Sequence, residues 1–477
     1  MKKSNIRLTV LLMSAFVMVF AISNDIKAQN SNILYGSSRT PQMNSVNPAF
    51  FPSKSRMYLA LPGVNMNLSS PLSYSDIFTY DSTEQKTYIN ANSILDTLSN
   101  DGRIRFATNV HAVGLGFRFG SSFITLSTQM KLDLGVGLPQ GLIRFLNEGN
   151  YNYTGDNYME LLDGQLVTTR LYGEAAIGYG REVGNFTFGA RAKLLVGYLD
   201  LSSAGSSLKL YTDTNYSSIT ADVDLQLNYA SAIQFDSDAV SGKMSIANMN
   251  YMPQNIGINF DLGVRYEDDL FDLSASIIDL GPGIHWKENV QHVVSARENN
   301  TFTFTGVDVS GMMSGGEMDS SFTQTLIDSL STLTEYKFID GEDYWTTIPT
   351  KVNLGGMFKL SPGLNVGVLF HGEFERGLTK VGDVFKTKTV GFYSTTSVLG
   401  RFNLRDWIEI VGSFSVVTNN GNWSWFNPGF GVTLTPFRAV QIYMIMDYIS
   451  NRYIVDAKQF NITAGFNLLF GSSYDRD

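Results

Sequence analysis

The chain of 477 residues contains no cysteine. This absence excludes disulfide bonds, thiolate catalysis and cysteine-based zinc or iron–sulfur sites. Charged residues make up only 17% of the chain, and the formal net charge of −9 argues against a nucleic-acid partner. After the first 22 residues, no stretch is apolar enough to predict a membrane-spanning helix. The sequence is therefore not that of a disulfide-stabilised, nucleic-acid-binding or multi-span helical protein.

The first 28 residues have the three parts of an export signal. A basic start precedes an apolar run at 8–22 (LTVLLMSAFVMVFAI), and Ala28 ends a cleavage motif. A single N-terminal membrane helix is the alternative, but apolar runs below ~18 residues seldom span a bilayer. No cysteine follows the run, so a lipoprotein is excluded. We predict that residues 1–28 are a cleaved signal peptide.

Glycine and aromatic residues are abundant, with 44 Gly, 32 Phe and 23 Tyr. In residues 459–470, apolar residues alternate one by one with polar residues. A period of two gives a β-strand one apolar face and one polar face. The same alternation runs through 122–134, 185–199, 256–267, 364–375 and 439–449. Each segment is about long enough to cross a bilayer when tilted, which favours a barrel over a soluble sandwich.

The connections between these segments alternate in length. Short turns fall at 120–122, 181–184, 267–269, 361–363, 403–406 and 436–438. Longer stretches lie between them, at 70–105, 135–165, 201–255, 281–349, 375–387, 419–427 and 450–457. Outer-membrane barrels have short periplasmic turns and longer outer loops. Six hairpins, an opening strand near 56–69 and a closing strand at 458–470 predict an all-β, transmembrane antiparallel β-barrel of about 14 strands over residues 56–477.

The segments outside these strands carry weaker signals. The spacing of apolar residues predicts outer-loop helices at 320–336 and 142–147, and strand-like runs in 206–230 predict an outer hairpin. The run Trp423-Ser424-Trp425-Phe426 is predicted in an exposed outer loop. Residues 29–55 are polar, contain three prolines and read as irregular chain long enough to enter a barrel lumen.

One motif in this N-terminal segment carries a family resemblance. Asn47-Pro48-Ala49-Phe50 resembles the Asn-Pro-Ala element of FadL-type transporters and of the PorV secretion barrel. Residues 59–65 and 348–356 are further similar to an uncharacterised outer-membrane family of that superfamily. The resemblance implies 14 strands and a plug at Asn47, Pro48, Ala49 and Phe50. It also implies lateral exit of hydrophobic substrates through a kinked strand, but no kinked strand is evident here, so fatty-acid specificity is not carried over.

The polar faces of the predicted strands point into the lumen. Their charged members are Lys131, Asp133, Arg170, Glu174, Arg191, Lys193, Asp261, Arg265, Lys359, Glu373, Glu375, Arg401, Glu409 and Asp447. Both signs occur in similar numbers, which predicts either a cross-braced lumen or a wet passage with weak selectivity. A channel selective for one sign of ion would show a ring of that sign.

Few residues suggest metal binding or catalysis in addition to transport. His371, Glu373 and Glu375 share a strand face and could hold a metal, but side chains two apart on a strand point in parallel and rarely converge on one ion. A lumenal salt-bridge network is the favoured interpretation. No serine lies in a strained nucleophile elbow. We expect no enzymatic activity, no metal and no cofactor.

Two functions follow from these patterns. The favoured hypothesis is passive, FadL-like transport of small hydrophobic compounds across the outer membrane of a Gram-negative bacterium. The alternative is a PorV-like accessory barrel that binds secreted proteins or partners in a type IX secretion or motility assembly. The expected partners are the lipid bilayer with its lipopolysaccharide, a hydrophobic small molecule and, in the alternative, proteins of a secretion complex.

Overall fold

The computed structural model describes residues 32–471 apart from short gaps. These gaps are 53–54, 99–102, 150, 152, 156, 165–166, 204–205, 216–217, 225, 239–242, 296–300, 305–335, 382–383, 420–421, 438 and 448–457. The predicted signal peptide at 1–28 lies outside the described residues. The predicted helix at 320–336 lies almost entirely outside them.

Fourteen long strands build the body of the protein. They are β1 Met57–Ser69, β2 Arg103–Phe119, β3 Ser122–Gly137, β4 Val167–Val183, β5 Phe186–Ser202, β6 Ile256–Glu267, β7 Phe271–Leu280, β8 Thr350–Ser361, β9 Leu364–Val381, β10 Val384–Arg405, β11 Ile408–Asn419, β12 Asn422–Phe437, β13 Val440–Asp447 and β14 Gln459–Phe470. Each strand pairs antiparallel with the next in this order. β14 then pairs with β1, from Met57↔Phe470 to Ser69↔Gln459. The predicted closed, 14-stranded antiparallel barrel is confirmed.

The two faces of the strands differ as the alternation predicts. On β5, Phe188 and Leu194 are exposed on the outside, whereas Arg191 and Lys193 are buried inside. On β14, Phe466 is exposed and the polar Asn467 is fully buried. A barrel that is apolar outside and polar inside has the surface of a transmembrane barrel.

The two ends of the barrel are unlike. At one end, here the turn end, six tight connections join strand pairs, and Met57 and Phe470 lie at the same end. Gly120 and Gly184 take positive φ values of 59° in two of these turns, a conformation that glycine adopts without steric cost. All six turns fall where the sequence predicts them. The opposite end, here the loop end, carries the long connections.

The described part of the loop end contains three helices and thirteen short strands. The helices are α2 Tyr74–Ile77, α3 Ala91–Thr97 and α4 Gln140–Glu148, numbered after α1 Asn32–Gly36, which lies in the lumen. The short strands are Phe78–Asp81, Lys86–Ile89, Met159–Gly164, Ser206–Thr212, Ile219–Asp224, Gln226–Ser231, Ile233–Asp238, Lys243–Met249, Ile284–Trp286, Val290–Ser295, Thr301–Phe304, Tyr336–Asp340 and Tyr344–Thr346. The helix predicted at 142–147 and the outer hairpin predicted in 206–230 are confirmed. No helix in the described part of the chain is long and apolar enough to cross a membrane.

Two of the predicted outer loops are wrong. Residues 375–387 and 419–427 mostly continue β9, β10, β11 and β12 as paired strands rather than forming loops. Trp423 and Ser424 pair with Thr418 and Val417, so this run belongs to β12 and not to an exposed loop. Beyond the bilayer both strand faces meet water, so the apolar–polar alternation fades although the ladder continues.

Candidate functional site

The barrel lumen is filled at the turn end and the middle by residues 32–51, here called the lumenal segment. It contains helix α1 Asn32–Gly36 and a 3-10 helix Pro41–Ser45. Nearly all its residues are buried, although nine of the twenty are Asn, Gln, Ser, Thr or Arg. Its only charged residue is Arg39. The segment is therefore held by packing and by hydrogen bonds to the wall more than by its own charge.

The first half of the segment packs against one side of the lumen. Helix α1 contacts β10, β11, β12 and β13. One apolar cluster joins it to inward side chains of the wall and comprises Ile33, Leu34, Tyr35, Met43, Val46, Phe50, Met357, Leu369, Leu399, Val411, Tyr443 and Ile445. A Cβ at Gly431 would lie 2.4 Å from Ile33 Cγ2, so a wall glycine gives the helix its room. We call β9–β13 the apolar side.

Hydrogen bonds fix this half in register. The amide of Ile33 donates to Asp447 Oδ1 at 3.1 Å. Glu409 accepts from the hydroxyls of Ser37 and Ser38, each at 2.6 Å, and from the Ser38 amide at 3.1 Å. Arg39 donates to the carbonyl oxygens of Arg405 and Asp406 in a turn of the turn end. Two predicted lumenal carboxylates, on β11 and β13, thus bind the segment directly.

The second half of the segment contacts the opposite side of the lumen. The guanidinium of Arg191 donates to the carbonyl of Asn44 at 3.1 Å. The carbonyl of Val46 accepts from Ser276 Oγ at 2.7 Å and from Asn353 Nδ2 at 3.1 Å. Every one of these groups is buried. Because buried polar groups need partners, each bond stabilises this path of the chain.

Asn47, Pro48 and Ala49 sit in a notch made by two wall glycines. Gly189 of β5 and Gly263 of β6 are paired across the ladder. A Cβ at Gly189 would lie 2.2 Å from the Pro48 carbonyl oxygen, and a Cβ at Gly263 would lie 2.0 Å from Asn47 Oδ1. The Asn47 side chain also accepts from the Ala49 amide at 2.9 Å and donates to the Ala275 carbonyl. The motif that carries the family resemblance is therefore the part that approaches the wall most closely.

Two phenylalanines complete the segment. Phe50 packs edge-on against Tyr35, with ring centroids 5.2 Å apart, and so joins the two halves. Phe51 packs against Tyr58 and Phe123 near the turn end. The Arg118 guanidinium lies 4.9 Å from the centre of the Phe51 ring. Aromatic contacts thus close the turn end around the segment.

An ion network lines the wall behind the second half. Lys193 Nζ lies 2.8 Å from Asp261 and 2.6 Å from Asp279. Glu174 binds Lys131 at 2.7 Å and faces Arg191 at 3.6 Å. Most of these side chains are at least 95% buried, and Lys131 is 15% exposed. We call β3–β7 the charged side. Balanced charge predicts either a cross-braced lumen or a wet passage with weak selectivity, and these buried ion pairs are the arrangement of a cross-braced lumen.

Asp279 belongs to this network through a β-bulge in β7. The register of β6 with β7 shifts between Phe260↔Leu280 and Leu262↔Ile277. The backbone of Asp279 has a φ of 60°, and its amide donates to Asp261 Oδ1 at 2.8 Å. The bulge turns Asp279 inward beside Ile278, which is also buried. Period-two reasoning misses this residue because the bulge breaks the period.

The remaining predicted lumenal charges lie in separate pairs. Arg170 binds Asp200 at 2.8 Å near the loop end, and Arg265 binds Asp272 at 2.8 Å nearer the turn end. The other pairs are Lys359 with Glu267 at 2.9 Å, Arg105 with Asp133 at 3.9 Å and Arg401 with Asp272 at 4.0 Å. Sequence reasoning missed Asp200 and Asp272. Asp200 follows a register shift in β5 between Gly197 and Leu199, which breaks the period, and β7, which carries Asp272, has too short an alternating run to assign a face.

The structure describes two of the three side chains on the strand face predicted to carry His371, Glu373 and Glu375. His371 and Glu373 are fully buried in the lumen, and His371 Nδ1 lies 2.7 Å from Asn353 Oδ1. The side chain of Glu375 lies outside the described residues. No group of three histidine or acidic residues in the described part of the chain is arranged to hold a metal.

Two cavities between the described residues inside the barrel are small and mostly polar. A cavity of about 70 Å³ lies between the segment and the charged side, lined by Asn65, Asn109, His111, Lys131, Glu174, Lys193, Asp279 and Lys351, among others. A neighbouring cavity of about 50 Å³ shares Asn65, Lys131 and Lys351. Each has room for a few waters but not for a drug-sized molecule.

An apolar cluster covers the charged side toward the loop end. It contains the fully buried Trp286 with Tyr172, Leu195, Ala230, Ile284, Val290 and Ile348. The Trp286 ring lies over Gly197, and its Nε1 donates to Thr346 Oγ1 at 2.7 Å. The ion network is thus enclosed between this cluster and the lumenal segment.

One stretch of the wall contains two facing bulges. The register of β1 with β14 shifts between Ala60 and Gly63, at Leu61-Pro62. The register of β2 with β3 shifts between His111 and Val113. Across the β1–β2 ladder, Ala60 pairs with Gly114 and Gly63 pairs with His111, so the bulges lie side by side. The sequence did not reveal these irregular strands.

Comparisons with known proteins give one family and several solved barrels. A model described as "Family of unknown function (DUF5723)" matches residues 48–447. The toluene transporter TbuX of Ralstonia pickettii is similar, with a TM-score of 0.45 and 11% identity over 90% of this chain and 94% of that one. A FadL homologue of Pseudomonas aeruginosa gives 0.44 and 10% over 94% and 99%. The toluene transporter TodX of Pseudomonas putida gives 0.40 and 9% over 94% of both chains. No curated protein matches.

At these identities and TM-scores the similar structures assign no substrate to this chain. The comparisons give no support to the accessory role in secretion that the sequence left as an alternative.

Proposed function

The chain belongs to DUF5723, a family of unknown function, and from this premise we propose that it is a passive outer-membrane channel for small hydrophobic compounds. Its lumenal segment closes the channel at rest. The observation that carries the proposal is that residues 32–51 occupy the lumen of an otherwise closed 14-stranded barrel. If side chains of the barrel wall alone filled the lumen, no segment of the chain would be needed to close it.

The nature of the contacts supports a segment that can leave its seat. It is bound by hydrogen bonds to wall groups that include the charged Glu409, Asp447 and Arg191, by one apolar cluster and by its own Arg39. Each neutral hydrogen bond contributes roughly 0.5–1.5 kcal/mol net and each bond to a charged group roughly 1.5–3 kcal/mol, because water replaces the bond on release. No separate globular domain is needed to open the passage, which fits passive transport.

The wall supports a route for apolar molecules. The resemblance to FadL-type transporters implies lateral exit, and the two facing bulges interrupt the β1–β14 and β2–β3 ladders, which offers a place for such an exit. The outward face there is apolar, with Met66 and Leu115 exposed. A hydrophobic compound would pass directly into the membrane and avoid the polar cavities on the charged side.

Uptake by intact cells tests the proposal. Cells that carry the chain in the outer membrane are expected to take up a small apolar probe, toluene, faster than cells with the empty vector. Equal uptake rates, with the folded barrel present in the membrane fraction, would contradict the channel function.

Orientation is tested separately with epitopes. An epitope inserted in the hairpin tip at 82–85 is expected to be labelled on intact cells, whereas one in the turn at 268–269 is not. The reverse labelling pattern would place the turn end outside and contradict the proposed orientation.

A further inference from the structure

A pair of wall glycines beside the bulges is covered by one tyrosine ring. Gly63 of β1 pairs with Gly465 of β14, and Gly465 pairs with Tyr443 of β13. A Cβ at Gly63 would lie 3.0 Å from the Tyr443 hydroxyl, and one at Gly465 would lie 2.7 Å from it. The ring therefore takes the place of two missing side chains at the interrupted part of the ladder.

Tyr443 also shares an apolar cluster with the part of the proposed channel that would move. It belongs to the apolar cluster that contains Ile33, Leu34 and Met43 of the lumenal segment. Only 1% of its surface is exposed. A shift of the segment would uncover the inner face of the ring, while the outer face still lies over the glycine pair.

The Tyr443 hydroxyl has no hydrogen-bond partner among the described residues. A buried polar group without a partner costs roughly 1–3 kcal/mol. Phenylalanine would fill the same space without that cost. Rings over glycines also occur as plain packing, as with Tyr58 over Gly116 on the same wall. Packing explains the ring of Tyr443 but leaves its hydroxyl unexplained.

We infer that Tyr443 is a specificity-determining residue, whose hydroxyl donates to a hydrogen-bond acceptor on an otherwise apolar substrate as it passes the Gly63–Gly465 wall. The substrate class is then small apolar molecules with one carbonyl, ether or hydroxyl oxygen, in preference to plain hydrocarbons. This inference rests on the proposed channel function. It adds the residue that recognises the substrate and the chemical group that this residue recognises.

Two probes of similar shape separate the possibilities. Acetophenone carries a carbonyl oxygen where isopropylbenzene carries a methyl group. Chain-dependent uptake of both is measured in intact cells for the wild type, Tyr443→Phe and the matched control Tyr58→Phe. Tyr443→Phe is expected to slow acetophenone uptake about 3- to 10-fold and to leave isopropylbenzene unchanged, because one hydrogen bond is lost. Tyr58→Phe is expected to change neither rate.

The outcomes distinguish the inference from its premise. If Tyr443→Phe affects both probes equally or neither, while the wild type still imports them, Tyr443 does not read the substrate and the channel function stands. If wild-type cells import neither probe faster than empty-vector cells, the channel function fails and the inference falls with it. Heat-modifiable gel mobility measures the amount of folded barrel and serves as the folding control for Tyr443→Phe. The variant is expected to fold, because the substitution only removes an oxygen atom.

Discussion

The two sides of the lumen hold the same segment by different physical means. On the apolar side, β9–β13 pack hydrocarbon side chains against α1, and Glu409 and Asp447 accept hydrogen bonds from the segment. On the charged side, β3–β7 present a buried ion network and a notch of backbone at Gly189 and Gly263. Apolar packing tolerates small shifts, whereas buried charges and backbone contacts do not. We expect the first half of the segment to move more readily than the second half, which the notch and Arg191 anchor.

The largest effect is expected from breaking the ion network. Lys193→Met leaves Asp261 and Asp279 buried without their shared cation, and removing one partner of a buried pair costs about 3–5 kcal/mol. The free energy of unfolding in detergent and urea should fall by about that amount. Lys359→Met, which breaks a partly exposed pair with Glu267, is the control and should cost below about 1 kcal/mol. Equal losses for the two variants would mean that burial of the network contributes nothing.

The second-largest effect is expected from filling the glycine notch, and it is compared with the effect of filling the apolar contact at Gly431. Gly263→Ala places a methyl group against Asn47, and overpacking of this kind costs about 1–3 kcal/mol. We expect it to unseat the second half and to raise single-channel conductance. Gly431→Ala meets side-chain carbons of Ile33 and Ile445 and no backbone atom of the segment, so its effect should be smaller. Gly400→Ala, with open space around the new methyl group, is the control. A larger effect from Gly431→Ala would reverse the roles of the two halves.

A smaller effect is expected at Glu409. Glu409→Gln keeps the shape of the side chain but removes the charge that strengthens the bonds from Ser37 and Ser38. A loss of about 1–2 kcal/mol in the free energy of unfolding should follow. Deuterium exchange of the Ser38 amide, which donates to Glu409, should speed up, while exchange of the second half stays slow. Faster exchange in both halves would show that they are released together.

The smallest effect lies at the loop end, where a charge pair is partly exposed. Burial opposes ionisation of Asp76, but Lys458 at 2.9 Å and the bonds from Ser73 hold its pKa below the ordinary value of 3.8. A carboxyl group with a lowered pKa contributes stability above pH 3.8, and that stability is lost as the pH falls through the folded-state pKa. Proteolysis of residues 70–98 should therefore speed up only below about pH 4. In the Asp76→Asn variant, residues 70–98 should be cleaved at the same rate above and below this pH. If the cleavage rate of that variant still rises below about pH 4, another titrating group causes the rise.

Most of the barrel could be predicted because a bilayer imposes a period of two on every strand. The faces of β5 and β14, the six turns and the strand number follow from that period and from turn residues. What it could not predict are departures from the period. Asp279 enters the lumen through a bulge, and the strands extend past the bilayer at 375–387, where alternation no longer applies.

The seat of the lumenal segment was predictable only in part. Asn47-Pro48-Ala49-Phe50 was recognised from the resemblance, but its partners were not. Gly189 and Gly263 lie 74 positions apart and meet only through strand register, which no local spacing encodes. Tyr443 likewise reads as an ordinary inward residue of β13 until its ring is seen over Gly63 and Gly465.

The measurement that tests the central claim most directly is the single-channel conductance of the purified barrel with and without residues 32–51. The predicted result is a full-length barrel that stays closed and a deletion variant that is folded and conducts steadily. Two folded barrels that both stay closed, or that conduct equally, would show that the lumenal segment is not what closes the lumen.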